Sequence, residues 1–324
     1  MLNKQDTGAL KGIAILCIVI HNFCHWLPMA VHENEYVFRL EDSLKLLHHV
    51  QMLHPQVLLN VFSHFGHYGV PVFLFLSGYG LVCKYERSRS NGLLSAHSSP
   101  AGASSVHALP EGLRFVRTHI VKLWQLMLPA LLLFVITQFA FRGSFEKEWS
   151  WALRLVTFTA NLFPTVNMIL GPWWFFSLIL QCYLLYRFVF ARFRSSAVLW
   201  GVTFATLALQ MGLYATDWHF TWDNTLVYAF EYYRYNAPGH LLAFAFGIEA
   251  ARKELNFPLW IAPVGVVLTV VSAFNVWLWF FSPLFAVMGT VPWIQLLRRH
   301  AGLYNLLASL GAISAAVFAF HPIV

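Results

Sequence analysis

The sequence predicts an all-α, polytopic transmembrane helix bundle with about nine to ten spanning segments. Two observations carry that reading. Of 324 residues, 58% are hydrophobic and 17% aromatic, and only 11% are charged. A soluble domain averages about 25% charged residues, so this chain cannot coat a water-facing surface of its size. Apolar runs also approach the roughly 20 residues needed to cross a bilayer core. They lie at 8–30, 57–83, 119–141, 173–191, 196–215, 237–251, 258–274, 276–297 and 309–324. The formal net charge of +7 sits at the ends of these runs. No basic stripe with interleaved aromatics appears, so the charge reads as membrane anchoring and no nucleic-acid partner is expected.

Taken in order, the N-terminus carries Lys4 and Lys11 but no small-residue cleavage site follows a short apolar run, so the first run reads as a retained span. Loop 31–56 carries Glu33, Glu35, Glu41 and Asp42 against Arg39 and Lys45 and is expected outside. Loop 84–118 carries Lys84, Arg87, Arg89, Arg114 and Arg117 and is expected in the cytoplasm. Its 84–114 portion, rich in Ser, Gly, Ala and His between Ser95 and Ser105, reads as a flexible cytoplasmic loop within a single domain, 1–324. Arg192 with Arg194, Arg252 with Lys253, and Arg298 with Arg299 close three later spans. Loop 216–235, with Asp217, Asp223 and Glu231, is expected outside. All basic clusters share one side, with the N-terminus inside, only if the weaker run 151–170 does not fully cross. That run holds Arg154, Asn161, Pro164 and Asn167 and is expected to be re-entrant or interfacial. Cys17, Cys24, Cys83 and Cys182 form no C-x-x-C pair and read as buried thiols. The last run reaches Val324 while still apolar, which is compatible with a chain that continues.

Titratable groups inside a span are costly and default to a functional reading. The first run holds Lys11, His21 and His25. Lys11 to His21 covers about 15 Å of helix, which sets the lysine at the cytoplasmic boundary and the imidazole at depth. His21 and His25, four apart, share a helical face and make a candidate base with its orienting partner. Imidazole suits proton transfer near neutral pH. The alternatives are a satisfied core histidine for His21, an interfacial one beside Trp26 for His25, and a snorkelling anchor for Lys11. In the second run, Gly66, Gly69, Gly78 and Gly80 permit close approach of helices or a ligand, and Pro71 is expected to kink the helix. Arg117 and Lys122 open the third run, where they could bind the phosphates of a nucleotide-bearing donor or anchor the helix. Arg234, beside Tyr235 and Asn236, is a candidate for holding an acceptor sugar, or an interfacial arginine. Glu249 is expected to pair with Arg252 and Lys253 at a helix end. Trp218, Trp222, Trp277 and Trp279 could stack on sugar rings or form an aromatic belt. His32, His48, His49, His54, His64 and His67 lack a tight ligand motif, so no metal is expected.

Five stretches, in order, resemble the acyltransferase 3 family of integral membrane O-acyltransferases. They are Leu10-Lys-Gly-Ile-Ala-Ile with His21; Gly69-Val-Pro-Val-Phe-Leu-Phe-Leu-Ser-Gly-Tyr79; Arg117 to Pro129; Gly171-Pro-Trp-Trp through Tyr183; and Gly311 to Pro322 with Ser314 and His321. The resemblance implies transfer of an acyl group, usually acetyl, from acyl-CoA to a sugar hydroxyl of a surface polysaccharide or glycolipid. The setting is the lipid bilayer of a bacterial cytoplasmic membrane, with no permanently bound cofactor; acetyl-CoA or another acyl-CoA serves as donor substrate. His21 or His25 would be the base, and Lys11, Arg117 and Lys122 would meet the donor. Ser77, Tyr79, Trp173, Trp174, Tyr183 and His321, with Arg234, would contact substrate. Two departures stand out. The family spaces its basic residue and histidine by eleven, whereas Lys11 and His21 are ten apart and Asn22 takes the expected place. Ile179 and Leu180 also stand where many relatives carry Glu, with Gln181 the only polar residue nearby. Two other readings are a proton-coupled transporter of a sugar, lipid or organic acid, and a non-catalytic partner in polysaccharide assembly.

Overall fold

A computed structural model of the chain describes residues 1–87, 110–144, 149–164, 171–222 and 224–323. Most of the expected loop 84–114, residues 88–109, lies outside the described residues, as do 145–148, 165–170, Asp223 and Val324. In chain order the α-helices longer than four residues are α1 (Lys4–Cys24), α2 (Leu40–Gln51), α3 (Val57–Phe65), α4 (Gly69–Val82), α5 (Glu111–Arg142) and α6 (Trp149–Val156). They continue with α7 (Trp174–Leu185), α8 (Ser196–Ala215), α9 (Ala229–Arg234), α10 (Ala237–Arg252), α11 (Ile261–Ser272), α12 (Ser282–Thr290) and α13 (Ala301–Phe320).

Among the described residues, six helical runs are long and apolar enough to cross a membrane: Lys4–Cys24, Val57–Arg87, Glu111–Arg142, Gly171–Phe193, Ser196–Ala215 and Ala301–Ile323. The expectation of nine to ten full spans is met only in part. The segments expected near 237–251, 258–274 and 276–297 fold as α10 of 16 residues, α11 of 12, and a run around α12 interrupted at Pro283 and Pro292. A helix of 16 residues reaches about 24 Å, short of a hydrocarbon core of about 30 Å. No residue of α10 is exposed. Its apolar character reflects protein on all sides, since Gly78 and Gly247 let α4 and α10 touch through their backbones. The described part of 151–170 is the eight-residue α6 and a short turn at Ala160–Leu162. At about 12 Å, α6 is far too short to cross.

The chain starts α1 with a reciprocal cap. The Asn3 side chain accepts from the Asp6 amide at 2.8 Å, and the Asp6 carboxylate accepts from the Asn3 amide at 2.6 Å. Buried Asp6 also accepts from Arg298 at 2.8 and 2.5 Å and from the Tyr304 hydroxyl at 2.8 Å. These bonds fix α13 to the start of α1. Along the same seam Gly12 meets Leu307 and Gly311 meets Gly8 through backbone atoms. Where lipid removes the hydrophobic drive between helices, such close approach supplies packing energy instead.

The run Val57–Arg87 is not one regular helix. Pro71 has no amide hydrogen to give the His67 carbonyl, and the chain tightens into a 3-10 turn over Gly66–Tyr68 between α3 and α4. Part of the expected external loop 216–235 forms a two-stranded antiparallel hairpin, β1 (His219–Trp222) with β2 (Thr225–Tyr228), so the fold is not purely helical. Asn224 takes the left-handed conformation its turn requires, with φ 57°. Arg252 does not pair with Glu249. It donates to Glu86 at 3.0 and 2.8 Å, tying α10 to the end of the α4 run, while Glu249 accepts from Ser196 at 2.8 Å. The four cysteines form no disulfide among the described residues; Cys24 and Cys182 are buried, and Cys17 and Cys83 partly so.

Candidate active site

His21 lies in the last turn of α1 and is 3% exposed. Gly66 makes room for it: a Cβ there would lie 2.6 Å from the His21 Cβ and 2.7 Å from the Cys17 carbonyl. The His21 Nδ1 is 2.7 Å from the Ser63 carbonyl oxygen. A carbonyl only accepts, so in the neutral ring Nδ1 carries the proton and Nε2 keeps its lone pair. His25 follows directly after α1. Its Nε2 is 2.9 Å from Glu33 Oε2, and its ring meets His21 edge-on with centroids 4.5 Å apart. His67, on the 3-10 turn, approaches His21 with centroids 5.7 Å apart. It is buried, and its Nδ1 has no hydrogen-bond partner among the described residues.

These side chains line one wall of a cavity of about 360 Å³, together with Glu35. The facing wall is aromatic. Tyr36 stacks on Tyr235 at 4.3 Å and meets Trp174 edge-on at 5.7 Å. Burial by itself would raise the Glu33 carboxyl, but the hydrogen bond and charge of His25 outweigh it and hold the group at about 2. Burial would lower His25, yet its bond to Glu33 and the charges of Glu33 and Glu35 leave it raised. Burial and then the Glu33 charge push Glu35 up to about 8, which favours its protonated form near neutral pH.

A second cavity, of about 220 Å³, adjoins the first. Lys11, Ser77, His119, Lys122 and Tyr183 contribute polar groups to an otherwise apolar lining. The His119 Nδ1 bonds the Phe115 carbonyl at 2.8 Å. Both cavities are lined by Ile18, Val70, Phe175 and Phe318, one residue each from α1, α4, α7 and α13.

The expected site residues therefore divide. His21, His25 and Trp174 line the first cavity; Lys11, Lys122, Ser77 and Tyr183 line the second. His321 lies beside the first, with its Nε2 3.1 Å from Asn22 Nδ2. Arg117, Tyr79 and Trp173 line neither. Arg117 is exposed on α5. Tyr79 is buried, its hydroxyl engaged with the backbone of Leu2 at 3.1 and 3.3 Å. Trp173 is fully buried and donates to the Ala319 carbonyl at 3.0 Å, which joins α7 to α13. Arg234 is buried behind the first cavity, its guanidinium 4.2 Å from the Trp279 ring.

Sequence reading did not assign Glu33, Glu35, Tyr36, His67 or His119 to the site. Two carboxylates flanking one residue, eight positions past His25, were the available signal for the first pair. The carboxylates that line this cavity, Glu33 and Glu35, come from the loop after α1 and not from the Trp-containing span. His21, His25 and Glu33 each place a ligating atom within 4.8 Å of the others, and no other group among the described residues could hold a metal ion in this way.

Fold and site together define a polytopic membrane protein in which a buried imidazole, a neighbouring His25–Glu33 pair and aromatic side chains line one of two adjoining cavities. The sequence profile of the acyltransferase 3 family, described as an acyltransferase domain, matches residues 8–324, and the chain belongs to that family. It is a membrane acyltransferase. No similar curated protein and no similar solved structure is found.

Proposed function

We propose that the protein moves a short acyl group, acetyl in the first instance, from acyl-CoA to a hydroxyl of a surface polysaccharide or glycolipid. The observation that carries this reading is the pair of adjoining cavities, with Lys11 and Lys122 on one side and His21 on the other. Ammonium groups suit the phosphates of CoA. Carboxyl groups beside the aromatic faces of Tyr36, Trp174 and Tyr235 suit a sugar, whose hydroxyls need polar partners and whose ring has an apolar face. The basic loops support a cytoplasmic position for the lysine side. The acceptor then enters from the outer face.

The chemistry is direct acyl transfer. The His21 Nε2 takes the acceptor hydroxyl proton as that oxygen attacks the thioester carbonyl carbon. The tetrahedral intermediate collapses with cleavage of the C–S bond. The departing CoA thiolate takes the proton from His21, leaving an O-ester, CoA thiol and neutral imidazole. The Ser63 carbonyl fixes the tautomer, and the His25–Glu33 pair supports the transient imidazolium. His67 Nδ1 is available to donate to the carbonyl oxygen as negative charge develops.

The test is purified protein in nanodiscs with acetyl-CoA, followed by thiol release, alongside mass spectrometry of surface glycans from cells with and without the protein. The expected result is thiol release and glycan acetylation in the wild type, both lost in His21→Gln. Undiminished activity in His21→Gln would remove the base from this scheme.

A further inference from the structure

Among the described residues, the linings of the two cavities have Ile18, Val70, Phe175 and Phe318 in common, and these side chains stand between them. Phe175 and Phe318 lie with ring centroids 5.2 Å apart. Phe318 is 7% exposed, Val70 7% and Ile18 3%. The neighbouring Trp173–Ala319 hydrogen bond, at 3.0 Å, holds the start of α7 against α13 where these rings meet. The neck is therefore apolar, closely packed and braced.

We infer that these four residues form a selectivity neck that sets the length of acyl chain the enzyme transfers. The inference rests on the proposed reading, in which the CoA phosphates sit by Lys11 and Lys122 and the base is His21. The thioester carbon must then lie at the neck to come within reach of the acceptor oxygen. Any carbon beyond the carbonyl occupies the neck or the first cavity, which the acceptor shares. Room for those carbons is bounded by the Phe175 and Phe318 rings. Removing a ring gives extra methylenes an apolar place, worth about fourfold in kcat/KM for each one fully buried.

The experiment compares wild type, Phe318→Ala and Phe175→Ala in nanodiscs on acetyl-, propionyl-, butyryl- and hexanoyl-CoA. Water serves as acceptor and free thiol as readout. Melting temperatures report folding, and Phe318→Leu with Phe175→Leu carry the comparison if the alanine variants do not fold. The ratio of kcat/KM for butyryl-CoA to acetyl-CoA is expected to rise tenfold or more in the alanine variants, and less in the leucine ones. Val70→Ile should move it the other way. A wild type that releases thiol while every folded variant keeps the same ratio overturns the neck. A wild type that releases no thiol from any of the four donors, and acetylates no glycan in cells, overturns the reading beneath it.

Discussion

Glu33→Gln isolates the carboxylate that supports the two imidazoles. The substitution keeps the shape of the side chain and removes its charge. Glu33 Oε2 lies 2.9 Å from His25 Nε2, and the His25 and His21 rings are 4.5 Å apart. A hydrogen bond between charged partners is worth about 1.5–3 kcal/mol, which corresponds to roughly 10- to 150-fold in rate if it is realised when His21 becomes an imidazolium. We therefore expect kcat to fall about 10- to 100-fold, with KM for acyl-CoA unchanged because Lys11 and Lys122 line the other cavity. His21→Ala removes the base itself and should cost about 10²- to 10⁴-fold. If Glu33 acts through His21, the double variant His21→Ala/Glu33→Gln should be no slower than His21→Ala alone. The assay is steady-state thiol release at saturating and limiting acetyl-CoA for all four proteins, with melting temperatures to show that each is folded. Losses that multiply in the double variant, or a Glu33→Gln that raises only KM, would refute the supporting role.

Further outcomes follow from the same geometry. Glu35, raised to about 8 by burial and then by Glu33, ionises as pH climbs and sets a second negative charge beside the developing oxyanion. Activity should decline through about pH 8, and Glu35→Gln should flatten that limb of the pH–rate profile. For the same group, the folded state binds the proton more tightly than the unfolded chain does, whose ordinary value is 4.5. The stability it contributes is thus intact below about pH 4.5 and lost as pH rises towards 8, which melting curves across that window will show. Chelators should leave thiol release unchanged, because His25 and Glu33 already engage each other and His21 Nδ1 is taken by Ser63; loss with EDTA and recovery with zinc would replace the proton relay with a metal. Gly66→Ala drives a methyl to 2.6 Å from the His21 Cβ and should cut kcat far more than it lowers the melting temperature. Asp6→Asn weakens the Arg298 contact at the distant end of α1. With Arg298 partly exposed, it should cost about 1–3 kcal/mol of stability and leave KM alone.

How much of this was legible in the sequence depended on which solvent each residue meets. Hydropathy found α1, α5, α8 and α13, whose outer faces meet lipid. It over-read α10, because a helix enclosed by protein is as apolar as one enclosed by lipid, and only the contacts of Gly78 and Gly247 tell them apart. His21 and His25 stood out because imidazoles are rare at depth. Glu33 and Glu35 did not, since two acids in a short loop look like ordinary external charge until the fold returns that loop over the end of α1. Trp173 and Tyr79 were read from motif resemblance, which cannot separate a residue that builds the neighbourhood from one that lines the cavity.

The ten-residue spacing from Lys11 to His21 is the sharpest case. A slip of one residue turns a side chain by about 100°, and a helix irregularity in α1 would have been one way to recover the family pattern. None is present: α1 is continuous from Lys4 to Cys24. Both Lys11 and Ile18 line the second cavity, while Ile18, His21, Asn22 and His25 line the first. The end of α1 is therefore embraced by its cavity over more than one facing. His21 takes the side towards Ser63 and His67, and Asn22 takes the side towards His321. With Asn22 at the eleventh position, the imidazole is displaced towards the loop that carries Glu33, and His25 bridges what remains of the distance. Restoring the longer spacing by His21→Asn with Asn22→His should move the base away from Ser63 and His25, leaving activity near that of His21→Gln. Activity close to wild type in that swap would show that the facing of the base is free, and that the His25–Glu33 pair does not depend on it.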